Sequence, residues 1–297
     1  MSTITILGAT GKVGSKTVNN LLGTGHTLRL IARHADKLQE FANKPGGEIH
    51  AGDSFDGDFM AQVMKGSDVA FLMMPTSLDA QNAGDYQDKM GNAQIEAIKK
   101  SGIKKVLFLS SVGGHTEEHT GMVAGLARQE LRLKQLPHVD VLILRPSYFM
   151  ENFFSNISLI KNMGINGSSI SSEKHFPIIA TVDIARTAAE KLNDLSWSGK
   201  QILPLLGPKD YSMNEVTHVL GAAINKPDLQ YIQFPDDQAK QSMMQWGISE
   251  SVAQAFVEMT EGINLGYFNT EKRDASSTTQ TTIEEFAKTF AFVYNLN

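Results

Sequence analysis

The stretch Gly8-Ala9-Thr10-Gly11-Lys12-Val13-Gly14 decides how this chain is read. It stands between a β-branched run, Thr3 to Leu7, and a helix-like segment ending near Leu22, so it reads as a glycine-rich turn from strand to helix. Gly8 permits the tight reversal, Gly11 keeps a Cβ away from an approaching phosphate, and Gly14 lets the helix lie close on the strand. Ala9, Thr10, Lys12 and Val13 supply the intervening backbone, and the positive end of the following helix favours an anion. A dinucleotide would leave its pyrophosphate here.

Beyond the turn, apolar runs alternate with amphipathic stretches. The pattern predicts strands over residues 4–7, 27–32, 48–51, 69–73, 106–110 and 141–144, with helices over 12–22, 36–42, 55–64, 85–100 and 122–136. That is the signature of a Rossmann-type α/β fold, a doubly wound parallel sheet with helices on both faces. Asp53-Ser54 reads as the cap of the third helix, whose Phe55, Phe59 and Val63 form a buried stripe, and Gly102 after Lys99-Lys100 reads as a helix stop. After Arg145-Pro146 the regularity changes. Short strands near 176–179, 201–206 and 229–233 mix with helices near 182–192, 213–224, 236–246, 250–261 and 283–294. The division expected is residues 1–150 for the NAD(P)-binding part and 151–297 for a smaller α/β cap on the sheet's carboxyl edge, packed intimately enough for some elements to return to the first part. Residues 270–282, rich in Ser and Thr, read as a mobile surface loop.

Composition narrows the function classes. With 297 residues, 41% of them hydrophobic, the chain buries a large core, which excludes a disordered or fibrous protein. Cysteine is absent, so disulfides, thiolate metal sites and cysteine nucleophiles are excluded together, and redox chemistry must come from a cofactor. The balance of 27 basic and 32 acidic residues gives a net charge of −5 without a basic block, which speaks against nucleic acid as a partner. No apolar run reaches membrane-spanning length and no leader is visible, so a cytoplasmic protein is expected, with oligomer or partner protein left open.

The dinucleotide is read from the end of the second strand. An acidic residue there accepts the ribose hydroxyls of NAD, but this chain has Leu30-Ile31-Ala32-Arg33-His34. A guanidinium attracts a 2′-phosphate, so NADP(H) is preferred and NAD(H) comes second; Lys12 and Lys37 add charge nearby. Asp53 and Ser54 would lie beside the adenine, although Asp53 reads equally as a helix cap.

Together with Gly52-Asp53, Phe71-Leu72-Met73-Met74-Pro75, Leu109-Ser110-Ser111, Leu144-Arg145-Pro146-Ser147-Tyr148-Phe149-Met150-Glu151-Asn152, Phe176-Pro177 and Val182-Asp183-Ile184-Ala185, these residues make the chain resemble the NmrA-like group of atypical short-chain dehydrogenases/reductases. That group includes NADPH-dependent quinone reductases, triphenylmethane-dye and azo-dye reductases, phenylpropanoid reductases and NADP-sensing regulators. The resemblance implies that Met73, Met74, Pro75, Ser110 and Ser111 border the nicotinamide half of the cofactor, and that Tyr148 to Phe153 floor the substrate pocket.

One part of the superfamily pattern fails. The Tyr-x-x-x-Lys pair that handles the proton is missing, because no Tyr occurs between Tyr86 and Tyr148, and Asn152 stands where Lys would follow Tyr148. Leu126 and Ala127 offer no donor either, and no catalytic residue is assigned. A ketone would need a positioned acid; a quinone yields a stabilised phenolate and a cationic dye a neutral product. The reading is therefore hydride transfer from NADPH to a small conjugated aromatic acceptor. Its pocket would be lined by Phe149, Met150, Asn152, Phe153 and Phe154, with Met243, Met244 and Trp246 from the cap. The same missing acid motivates the alternative of a non-catalytic NADP(H)-binding redox sensor. His115 and His119 bracket Glu117-Glu118 at a metal-like spacing, but the flanking glycines favour a polar loop, and no metal is expected.

Overall fold

A computed structural model describes residues 1–42 and 44–296. The first half lays down β1 (Thr3–Leu7), α1 (Gly14–Leu21), β2 (Thr27–Ala32), α2 (Gln39–Ala42), β3 (Gly47–Ala51), α3 (Gly57–Met64), β4 (Val69–Met73), α4 (Ala83–Ser101), β5 (Lys105–Leu109), α5 (Ala124–Lys134) and β6 (Asp140–Pro146). The second half adds β7 (Tyr148–Phe149), α6 (Ile157–Met163), β8 (Ile165–Ser168), β9 (Phe176–Ile179), α7 (Thr181–Asp194), β10 (Lys200–Leu205), β11 (Asp210–Tyr211), α8 (Met213–Ala223), β12 (Gln230–Gln233), α9 (Asp236–Gln245), α10 (Glu250–Leu265) and α11 (Ile283–Leu296).

Seven parallel strands form the main sheet in the order β10-β6-β5-β4-β1-β2-β3. Period-two alternation sorts its side chains. Val69 and Phe71 of β4 enter one core with α1 and α7, whereas Ala70 and Leu72 enter the other with α3, α4 and α5. Both faces are apolar, so the strands read as near-continuous hydrophobic runs, and each fully buried Leu, Ile or Phe contributes about 1.5–3 kcal/mol relative to exposure. A third core, containing Met150, Phe153, Phe176, Tyr211 and Phe290, holds the cap together.

Several expected boundaries shift for local reasons. Helix α3 begins at Gly57 and is capped by Asp56, which accepts from Phe59 N at 3.0 Å; Asp53 instead accepts from Phe55 N in a turn of its own. The helix expected over 36–42 is a 3₁₀ turn, Ala35–Leu38, running into the single turn α2. Helix α4 ends as expected, with Gly102 at φ 71°. The strand expected near 201–206 is β10, which leaves the cap and pairs with β6, and α7 packs on α1 beneath the same sheet. Residues 270–282 are anchored, contrary to the mobile loop expected: Arg273 donates to Gly207 O, Leu206 O and Asp210, and Ser277 is buried among the turns of Asp274.

Candidate cofactor cleft at the carboxyl edge of the sheet

The strand order reverses between β1 and β4, which opens a crevice at their carboxyl ends. The glycine turn fills one wall of it. Gly8 adopts φ 79°, and its carbonyl accepts from Gly11 N at 2.9 Å. A Cβ on Gly8 would stand 2.4 Å from Met73 Sδ, and one on Gly14 would stand 2.0 Å from Gly8 O, so neither position admits a side chain. Ala9 and Val13 point into the core, while Thr10, Gly11 and Lys12 are exposed. Val13, at the N-cap of α1, makes no side-chain cap bond, so no side chain competes for the first amides of the helix. Lys12 Nζ donates to Glu151 O at 3.2 Å; crowding by protein holds its amine below the ordinary lysine value, partly offset by the Glu151 carboxylate. Glu151 in turn accepts from Thr181 N and Oγ1 at the start of α7, which ties the turn, residues 148–152 and α7 together.

At the end of β2, Arg33 is exposed and, among the described residues, makes no hydrogen bond or ion pair. Its charge reaches Asp79 and Tyr86; burial pushes the Tyr86 phenol up and Arg33 opposes that. Lys37 is exposed in the following 3₁₀ turn, Asp53 is exposed, and Ser54 is buried.

The ends of β4 and β5 carry the next group. Met73, Met74 and Pro75 are half-buried, and Met73 O accepts from Gln94 Nε2 at 2.9 Å, Gln94 being itself bonded to buried Gln129. Ser111 is half-buried, whereas Ser110 is buried and donates to Glu130 Oε1 at 2.6 Å. Glu130 is fully enclosed. Arg145 grips it through Nε at 2.9 Å and Nη2 at 2.7 Å, Lys134 adds a bond at 3.0 Å, and Arg145 also reaches Glu271 at 2.6 Å. Sequence reading missed Gln94, Gln129 and Glu130. Glu130 was detectable, because it shares a helix face with Ala127 and Leu133, and an acid on a buried face needs a buried cation.

A 3₁₀ helix, Met150–Asn156, divides the residues expected to floor the substrate pocket. Its three-residue period stacks Met150 with Phe153 inside the cap core and leaves Phe149 and Asn152 half-buried on another side. Phe154 packs on Phe286 and Phe290 of α11. Tyr148 belongs to the edge of the cap core and Phe149 to that of the sheet, so the segment lies at their junction. Met244 and Trp246 are exposed at the end of α9, and the turn beyond them is fixed to the loop after β4 by Ser249 N to Leu78 O, 2.9 Å, and Ser249 Oγ to Ala80 O, 2.6 Å. His115 and His119 lie on a loop. His119 packs on Tyr267 at 5.0 Å, and among the described residues no group of three or more His, Cys, Asp or Glu forms a metal-binding cluster. No helix of the described residues is long and apolar enough to cross a membrane. A separate cleft of about 510 Å³, bordered by Arg186, Lys191, Leu203 and Thr279, lies at the β10 edge and shares no residue with the turn.

A doubly wound sheet with a glycine turn at its reversal point and a smaller cap above it defines a Rossmann-type protein of the dinucleotide-binding class. The chain belongs to the NmrA-like family, whose model matches residues 1–287. It is 26% identical over 258 residues to the NAD(P)H azoreductase of Xenophilus azovorans, covering 86% of this chain and 85% of that one. Its fold is that of the NADPH-dependent quinone oxidoreductase QOR2 of Escherichia coli, solved with NADPH, at TM-score 0.81 and 18% identity over 96% of this chain and 99% of that one. The triphenylmethane reductase of Citrobacter sp. superposes at TM-score 0.82 and 15% identity over 98% and 99% of the two chains.

Proposed function

We propose that this protein is an NAD(P)H-dependent reductase, with NADP(H) preferred, acting on a small conjugated aromatic acceptor of the quinone or azo-dye type. The observation that carries the cofactor is the pairing of a turn too tight for any side chain at Gly8 or Gly14 with the unpartnered guanidinium of Arg33. Those residues fit a phosphorylated dinucleotide: the amides of residues 10 and 12–14, at the start of α1, would hold the pyrophosphate, and Arg33 with Lys37 the 2′-phosphate. When bound, that cofactor supplies the hydride.

The chain's own residues do the positioning. Gln94 fixes Met73 O and so sets the end of β4, while Glu130 and Arg145 fix the ends of β5 and β6 from below. With its hydroxyl proton committed to Glu130, Ser110 holds the loop rather than supplying a mobile proton. Ser111, Tyr148, Phe149 and Asn152 are the half-buried surfaces an acceptor would meet. The similarity to an azoreductase over 86% of this chain supports the acceptor class. A steady-state assay with NADPH against a panel of quinones, azo dyes and triphenylmethane dyes tests the reading. Turnover above the uncatalysed rate with at least one class is expected; NADPH binding without turnover of any would leave a cofactor-binding protein that is not an enzyme.

A further inference from the structure

A hydride acceptor gains charge as well as hydrogen, and the reductase reading assigns no group to meet that charge. Tyr148 follows directly on the carboxyl end of β6, next to the end of β5. Its ring is wedged between Phe153 and Phe176, both at 5.7 Å between centroids, so its direction is set by the cap core. Tyr148 is half-buried, at the junction of the sheet and the cap core. Burial pushes its phenol up to about 12, with the Asn152 side chain beside it acting in the opposite direction, so the O–H is retained through the neutral range.

Of the other hydroxyls nearby, those of Tyr231 and Ser110 are committed, whereas Ser147 Oγ is buried without a partner and Ser111 is half-buried with no side-chain hydrogen bond among the described residues. Tyr231 shares its hydroxyl with Ser168 Oγ at 2.7 Å and donates to Ile170 O at 2.7 Å, and Ser110 donates to Glu130. Among the described residues, no carboxylate or backbone carbonyl takes the Tyr148 proton.

We propose that the Tyr148 hydroxyl, oriented by Asn152, is the hydrogen-bond donor to the acceptor atom on which negative charge collects as hydride arrives; this rests on the reductase reading above. With a quinone, two electrons and one hydrogen enter as hydride, NADPH is oxidised to NADP⁺, and the product is a hydroquinone monoanion. Its oxygen accepts the Tyr148 hydrogen bond and then takes a proton from water, while Tyr148 keeps its own. A cationic triphenylmethane dye receives the same hydride and ends neutral, so it has no anion for Tyr148 to stabilise. The donor thus sets which acceptor class is reduced fast.

The test uses Tyr148→Phe, which preserves the ring, and Asn152→Ala, which leaves the phenol but frees it. With NADPH, Y148F is expected to lower kcat for a quinone about 10- to 100-fold more than for a cationic dye. Without cofactor, 4-nitrophenolate and nitrobenzene are titrated by calorimetry. Y148F should weaken the anion about fivefold or more relative to the neutral probe, and N152A should act in the same direction. Equal losses for the two probes, or for quinone and dye, would overturn the proposal, as would failure of 4-nitrophenolate to bind the wild type. Should wild type turn over neither acceptor while the probes still separate Y148F, the reductase reading falls and the Tyr148 donor stands.

Discussion

Replacing Arg33 with Gln removes the charge proposed to favour the phosphorylated dinucleotide. The guanidinium is exposed at the end of β2 and spends none of its donors on protein among the described residues, so a bound 2′-phosphate would take them at no cost to an existing pair. A hydrogen bond to a charged group contributes about 1.5–3 kcal/mol, and exposure with salt screening keeps the sum near that range even for a two-pronged contact. That corresponds to roughly 10- to 150-fold in Kd, with the lower half expected because Lys37 remains nearby. Calorimetric titration of wild type and R33Q with NADPH and NADH, each at low and high salt, measures it. NADPH should weaken by about one to two decades, NADH should change little, and the salt dependence of NADPH binding should flatten. Asp79 lies within reach of the same charge, so Asp79→Asn should tighten NADPH and leave NADH alone. An equal loss for both dinucleotides in R33Q, or no loss for NADPH, would refute the assignment of Arg33.

Glu130→Gln leaves the buried Arg145 with Glu271 as its remaining carboxylate, and urea unfolding should show a loss of about 3 kcal/mol or more; under 1 kcal/mol would mean that the network is not holding β5 and β6. Gly14→Ala forces a Cβ to within 2.0 Å of Gly8 O and should cost both stability and NADPH affinity, whereas Gly11→Ala, at 3.3 Å from the same oxygen, should stay within about 1 kcal/mol in stability and still weaken NADPH. Of the two tryptophans, Trp246 is 73% exposed and Trp197 6%, so acrylamide quenching reports mainly Trp246. A planar acceptor bound under the cap should shield it, and unchanged quenching at saturation would remove Trp246 from the pocket.

Much of the fold is legible in the chain because its signals are local. The run Val69–Met73 and the turn Gly8–Gly14 report their own conformations through apolar period and glycine placement, and the structure has β4, β1 and α1 where they are expected. Cap assignments failed where a short polar donor had rivals: Asp53 and Asp56 both precede α3, and only the observed chain path gives Phe59 N to Asp56. The 3₁₀ helix at Met150–Asn156 was equally hidden, since its apolar residues suit a helix of either period. That ambiguity decides which of Phe149, Met150, Asn152 and Phe153 enter the cap core and which stay half-buried.

By itself the sequence determined that a strand, a glycine turn and a helix follow one another over residues 3–21 and that a cation, not an acid, stands after the second strand, because both depend on neighbours a few residues apart. Tertiary structure alone decided that β10 returns from the second half to pair with β6, that Glu130 sits beneath Ser110 in the grip of Arg145, and that Gln94 holds the end of β4. Those pairings join groups 15 to 59 residues apart, and their energy comes from burial and from satisfying charges and amides removed from water. No local propensity records such a requirement until the chain has closed around it.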